Sequence, residues 1–181
     1  MTAKDDNQLV SEVISGEVAS FEELIERYQK KIYYMVLRMV CESETAKDLT
    51  QDIFVRVYEK LGTFKPEYRF FSWMYRITMN ETITWSKRCP AFERLDRIEE
   101  PIADDRSSTL KERGSELLNQ GLQSLEPDYR MLLVLKYYGG LSYDEVAAVT
   151  EISVEKVRSR LFIAREQLRK ILIQKGFLEN E

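Results

Sequence analysis

Histidine is missing from this 181-residue sequence, and cysteine, proline and glycine are scarce at two, four and seven residues. Without histidine the commonest general base is gone, and with it the usual partner of a nucleophilic serine or cysteine, which argues against hydrolytic and acyl-transfer chemistry. Cys41 and Cys89 have no CxxC spacing and no histidine with which to share a metal, so they read as two inert thiols rather than a disulfide framework or a zinc site. No apolar run approaches the ~20 residues that cross a bilayer. The opening Met1-Thr2-Ala3-Lys4-Asp5-Asp6 has no apolar stretch resembling a leader, so the expected location is the cytoplasm. No metal site, cofactor or small-molecule substrate is expected.

What is present is 44% hydrophobic and 32% charged, enough to give one large or two small domains a packed core. The formal net charge of −4 is unusual for a nucleic-acid binder, so any DNA contact must come from local basic faces or be made together with a partner. The few glycines and prolines sit where helical periods break, at Gly16, Gly62, Pro66, Pro90, Pro101, Pro127, Gly139-Gly140 and Gly176. From Phe21, the residues Leu24, Ile25, Tyr28, Ile32, Met35, Val36 and Met39 recur at steps of three and four, and Ser20-x-x-Glu23 reads as a capping box for that helix. A second helix from about Ser43 buries Ala46, Leu49, Ile53, Val57 and Leu61. A third runs from Phe71 to about Trp85 with Met74, Ile77 and Ile83 inside. Trp73 and Tyr75, aromatics at helical spacing, read as core.

Between Glu93 and Asp105 the period is lost and six acidic residues face Arg94 and Arg97, the composition of a linker. Helical pattern resumes near Ser108 with Leu110, Leu117, Leu118, Leu122 and Leu125, and Pro127 suits the first turn of the next helix. The fold expected is all-α: a first small domain over 1–92, an acidic linker over 93–107 and a second small domain over 108–181. Within the second, Arg130 to Tyr138 is an apolar helix stopped by Gly139-Gly140, and Ser142-Tyr143-Asp144-Glu145 is a capping box. A short helix with Val146, Ala147 and Val149, a break at Thr150-Glu151-Ile152 and a helix begun by Ser153 then spell a helix-turn-helix.

With Ile152, Val157, Leu161, Ala164 and Leu168 facing inward, Glu155, Arg158, Ser159 and Phe162 face outward, with Lys156 and Arg160 on one flank. From Ser153 to Lys170 six basic residues, Arg165 among them, stand against Glu155 and Glu166. Such a helix fits the major groove, where Arg grips guanine, Ser bonds several base edges and an exposed Phe covers a thymine methyl. A solvated basic face is the plainer reading, but it gives Phe162 no reason to be exposed.

The stretch Leu125-Glu-Pro-Asp-Tyr-Arg-Met-Leu-Leu-Val-Leu-Lys-Tyr-Tyr-Gly-Gly-Leu-Ser-Tyr-Asp-Glu-Val-Ala, with Ile152-Ser-Val-Glu-Lys-Val-Arg-Ser-Arg-Leu and Ala164-Arg-Glu, closely resembles region 4 of extracytoplasmic-function (ECF) RNA polymerase sigma factors. Phe21-Glu-Glu-Leu-Ile-Glu-Arg-Tyr, Ala46-Lys-Asp-Leu-Thr-Gln-Asp-Ile-Phe-Val-Arg-Val-Tyr and Phe71-Ser-Trp-Met-Tyr-Arg-Ile-Thr-Met-Asn resemble their region 2. The resemblance implies a non-catalytic subunit that docks on core RNA polymerase and directs it to promoters, with region 2 at the −10 element and region 4 at the −35 element.

By that likeness Asp48, Gln51, Asp52, Phe54 and Arg56 meet the clamp helices of the largest subunit, while region 4 also meets the flap of the second-largest. Asn80 lines the pocket for a flipped −10 base. Arg76, Thr84, Trp85, Lys87 and Arg88 surround it, the last two in a short loop. Lys156, Arg158, Ser159, Arg160, Phe162 and Arg165 read the −35 element. An anti-sigma factor is a further implied partner, which can hold the protein at the membrane. Thr84, Glu151, Glu155 and Ile163 depart from the family's usual residues, Glu151 standing where a turn glycine is common. A free-standing helix-turn-helix regulator, and more remotely an enzyme with an appended DNA-binding domain, are the competing readings.

Overall fold

The computed structural model describes residues 4–88 and 109–177, with backbone only at 109–113. Cys89, Pro90, Pro101 and the whole acidic linker lie outside the described residues. Among the described residues every regular element is helical: α1 (Asp6–Ile14), α2 (Ala19–Val40), α3 (Ser43–Lys60), α4 (Phe70–Arg88), α5 (Thr109–Gln123), α6 (Pro127–Leu133), α7 (Tyr143–Thr150) and α8 (Val154–Gln174). No helix among them is long and apolar enough to cross a membrane.

The first helix was not anticipated, because nine residues carrying only Leu9, Val10 and Val13 as a buried stripe are too few to display a period. Asp5 and Gln8 nevertheless make a reciprocal capping box, with the Gln8 N–H 2.8 Å from the Asp5 carboxylate and the Asp5 N–H 3.1 Å from Gln8 Oε1. The Ser20 box is a correction. The second helix starts at Ala19 without a side-chain cap, so Ser20 lies inside it, buried, and its hydroxyl donates to Glu12 instead. The third begins on Glu42, whose carboxylate accepts the N–H groups of Glu44 at 2.9 Å and Thr45 at 2.6 Å. The expected stripe of α3 is buried at Ala46, Leu49, Ile53 and Val57. Tyr75 is 1% exposed and Trp73 packs against Phe64 and Phe70, as core aromatics should.

In the second half Pro127 opens α6. The helix then widens over Val134–Tyr138, so that the Gly139 N–H bonds the Val134 carbonyl five residues back at 2.9 Å. A Cβ at Gly139 would lie 2.5 Å from the Leu135 carbonyl oxygen, so this turn requires glycine. The predicted box at Ser142 is formed, with Ser142 capping Glu145 and Glu145 returning the bond at 2.8 Å. Ser153 caps α8, and Val157, Leu161 and Ala164 are buried beneath it.

The halves are not separate bodies. Helix α2 packs on α5, α6 and the widened turn, helix α4 packs on α7, and the buried apolar residues of both halves form one continuous cluster.

Candidate nucleic-acid and polymerase interfaces

Lys156, Arg158, Ser159, Arg160, Phe162 and Arg165 all emerge on the solvent side of α8, opposite its buried stripe. Phe162 is 59% exposed and Ile163 38%, so an apolar spot sits in the middle of a basic face. The face is braced from below. The Arg158 guanidinium lies 5.6 Å from the Tyr143 ring, Lys136 4.7 Å from the same ring, and Arg165 Nη1 3.5 Å from the Tyr137 hydroxyl. Glu155, at the start of α8, keeps its charge: hydrogen bonds from its own backbone N–H and from the Ser153 hydroxyl hold its carboxyl below the ordinary range. The arrangement offers donors, one acceptor and an apolar contact to a groove of base edges.

On α4, Asn80 and Thr84 are exposed with Arg76 one turn before and Lys87 one turn after, which makes a single stripe. Lys87 and Arg88, expected in a loop, occupy the helix's last turn, where cations suit the negative end of the helix dipole. Trp85 is half-buried against the core and presents only part of its ring for stacking. Arg76 is held by α7: Nη1 lies 2.9 Å from Glu151 Oε1 and Nη2 donates to the Ala148 carbonyl at 2.7 Å. Lys87 and Arg160, assigned to different DNA elements, line one open cleft of about 380 Å³ together with Ile83 and residues 126–129.

Asp48, Gln51, Asp52 and Arg56 are exposed on α3, with Arg56 bridging to Glu59 at 2.9 Å and to Glu81 of α4 at 3.5 Å. Phe54 requires correction: it is 7% exposed and belongs to the core, because α3 packs against both α2 and α4 and buries an arc wider than the Leu49/Ile53 stripe. Among the large apolar residues of α3 that do face out, beside Tyr58, is Val55, 59% exposed and one turn beyond Gln51 and Asp52. Its spacing on the wheel from Asp48 was the available signal. Cys41 is buried, and burial pushes its thiol up, as for an inert cysteine.

Residues 24–88 match the family model for sigma-70 region 2 and residues 115–168 that for sigma-70 region 4. The RNA polymerase sigma-H factor of Pseudomonas aeruginosa is 32% identical over 185 aligned positions, covering 95% of this chain and 96% of that protein. The ECF RNA polymerase sigma-E factor of Escherichia coli K12 is 32% identical over 177, covering 90% and 92%. Two solved structures share the fold. CnrH, in complex with the cytosolic domain of CnrY, has a TM-score of 0.73 at 24% identity over 93% of this chain and 97% of its own. RpoE from Bartonella quintana, in complex with the anti-sigma factor NepR, has 0.71 at 20% over 84% and 96%. Relatives matched over nearly their whole length set aside the free-standing regulator, and the chain belongs to the sigma-70 family as an ECF RNA polymerase sigma factor.

Proposed function

We propose that this sigma factor, which directs core RNA polymerase to promoters and initiates transcription there, works through three separate surfaces. The exposed face of α3, formed by Asp48, Gln51, Asp52, Val55 and Arg56, meets the clamp helices of the polymerase's largest subunit. The α4 stripe from Arg76 through Asn80 and Thr84 to Lys87 and Arg88 takes the opened −10 strand, with the Asn80 amide bonding a base lifted out of its stack and the cations holding the backbone. The outer face of α8 reads the −35 element, and region 4 also engages the flap of the second-largest subunit. Residues 1–92 and 108–181 are the corresponding functional units, joined by the acidic linker of 93–107. The role is non-catalytic, in the cytoplasm, with an anti-sigma factor as the inhibitory partner, like the one seated on RpoE, and retention at the membrane arises through that partner.

The observation that carries this reading is that charged and polar side chains with no part in the core line up on one face of each of these three helices, joined by the exposed Val55 on α3 and Phe162 on α8. Equilibrium binding to purified core polymerase tests the first surface. Val55→Asp is expected to weaken binding by about tenfold or more, while thermal unfolding of the free chain stays within ~0.5 kcal/mol. Unchanged binding would move the polymerase contact off α3.

A further inference from the structure

The exposed large apolar side chains of α8 are two chain neighbours, Phe162 at 59% and Ile163 at 38%, and neither belongs to the core cluster. Being adjacent, they leave the helix roughly 100° apart and flank the line of Ser159, one turn earlier. The positions around them are polar: Lys156, Arg158, Ser159, Arg160 and Arg165 are all exposed. Arg158 leans on the Tyr143 ring, 5.6 Å away, and Arg165 reaches the Tyr137 hydroxyl at 3.5 Å, so both cations are drawn to one edge of the face. Ile163 lies toward the other edge, two turns after Lys156. It is also one of the positions at which this sequence departs from the family's usual residue.

We propose that Ile163 is a base-reading residue. With Phe162 it forms an apolar pair that takes the 5-methyl groups of two thymines in the −35 element, and it selects against guanine and cytosine at its own base pair. The occupant is argued from charge. Six basic residues against two acidic ones between Ser153 and Lys170 leave the surround at +4, six minus two, which suits phosphates on both sides of a groove. Within a major groove the one apolar group is the thymine methyl. An isoleucine pressed there desolvates the edge it covers and returns no hydrogen bond. That costs little over a methyl and much over the cytosine amine or the guanine O6 and N7. The two Cα atoms are about 3.8 Å apart, near the ~3.4 Å base step, so the contacts fall on base pairs one or two steps apart. The inference rests on assigning α8 to the −35 element.

Deoxyuridine in place of thymine removes the methyl and leaves the pairing unchanged, so it isolates this contact. Holoenzyme formed from core polymerase and the full chain is titrated onto a promoter fragment that it transcribes, with each −35 thymine replaced in turn by deoxyuridine. Two replacements are expected to weaken binding, each by about three- to fivefold for one buried methyl. One of the two effects should vanish in Ile163→Ala and the other in Phe162→Ala. Indifference of every −35 thymine to loss of its methyl, or methyl effects that Ile163→Ala leaves intact, overturns the proposal. Whole base-pair changes in the −35 element separate the two levels of the argument. If their effects persist at native strength in Arg158→Ala, Phe162→Ala and Ile163→Ala alike, the placement of α8 falls as well. If they respond to Arg158→Ala while the methyls count for nothing, the apolar pair alone is overturned.

Discussion

The guanidinium of Arg130, in α6, donates to the carbonyl of Met39 at the end of α2, 2.7 Å away and 91 residues earlier in the chain. Its other nitrogens bond the carbonyls of Leu122 at 2.8 Å, Gln123 at 2.6 Å and Leu125 at 3.1 Å. One planar fork therefore satisfies the frayed ends of α2 and α5 at once. Arg130→Met is expected to lower the unfolding free energy by about 2–4 kcal/mol, because carbonyls buried around it lose a charged donor. Arg130→Lys should recover only part, since an ammonium cannot span four acceptors in one plane. Urea titrations of the three proteins measure this. A loss below about 1 kcal/mol would mean water replaces the guanidinium freely.

Replacing Glu151 with glycine should stabilise the protein. Relief of a left-handed L-residue contributes roughly 1 kcal/mol, whereas the ion pair with Arg76, its side chains 42% and 71% exposed, is worth about 0.2–1 kcal/mol. The net expectation is a rise of about 1–2 °C in Tm, read by calorimetry. A fall in Tm would show that the Arg76–Glu151 pair is stronger than an exposed pair should be.

Phe162 separates recognition from stability. Being 59% exposed, its replacement by alanine should change unfolding by no more than ~0.5 kcal/mol. The same change should cost about 1–3 kcal/mol of discrimination between −35 sequences, measured by competition between promoter fragments for the polymerase complex. Lys156→Ala, by contrast, should weaken all sequences alike and lower the salt dependence by about one counterion. Equal discrimination with and without Phe162 would return that side chain to chance exposure.

Acid should act on the start of α3. Burial raises the Glu42 pKa, but bonds from the Thr45 hydroxyl and from the N–H groups of Thr45 and Glu44 outweigh it and hold the carboxyl below the ordinary range. A depressed carboxylate stabilises the fold above its unfolded-state pKa and loses that stabilisation as pH falls through the folded value. Glu42→Gln should therefore be less stable than the native chain at neutral pH, and the difference should shrink below about pH 4.5. Thermal unfolding across pH 3–7 measures it, and a pH-independent difference would mean that the cap does not depend on charge.

How much was legible follows from what periodicity encodes. The stripe of Val157, Leu161 and Ala164, the cap at Ser142 and the break between helices at Glu151 are local, and each left a mark within a few residues. Asp48 and Asp52 could be placed outside for the same reason, whereas Asn80 was placed by its likeness to region 2 alone. The contact of Arg76 with Glu151 could not: the two are 75 residues apart, and a bond between long polar side chains leaves no trace in hydropathy. Phe54 was misplaced because a single stripe underestimates the buried arc of a helix with two neighbours. The Ser20 box failed because a Ser-x-x-Glu spacing does not by itself fix where a helix starts, and the Ser20 hydroxyl had Glu12 to bond.

Run-off transcription from a pool of promoter fragments, with purified core polymerase and with or without this protein, tests the central claim most directly. Specific transcripts should appear only with the protein, and should weaken in Asn80→Ala and Arg158→Ala while both variants still bind core. Transcripts of equal strength in both variants, or no protein-dependent transcripts beside intact core binding, would contradict the assignment of α4 and α8 to the promoter.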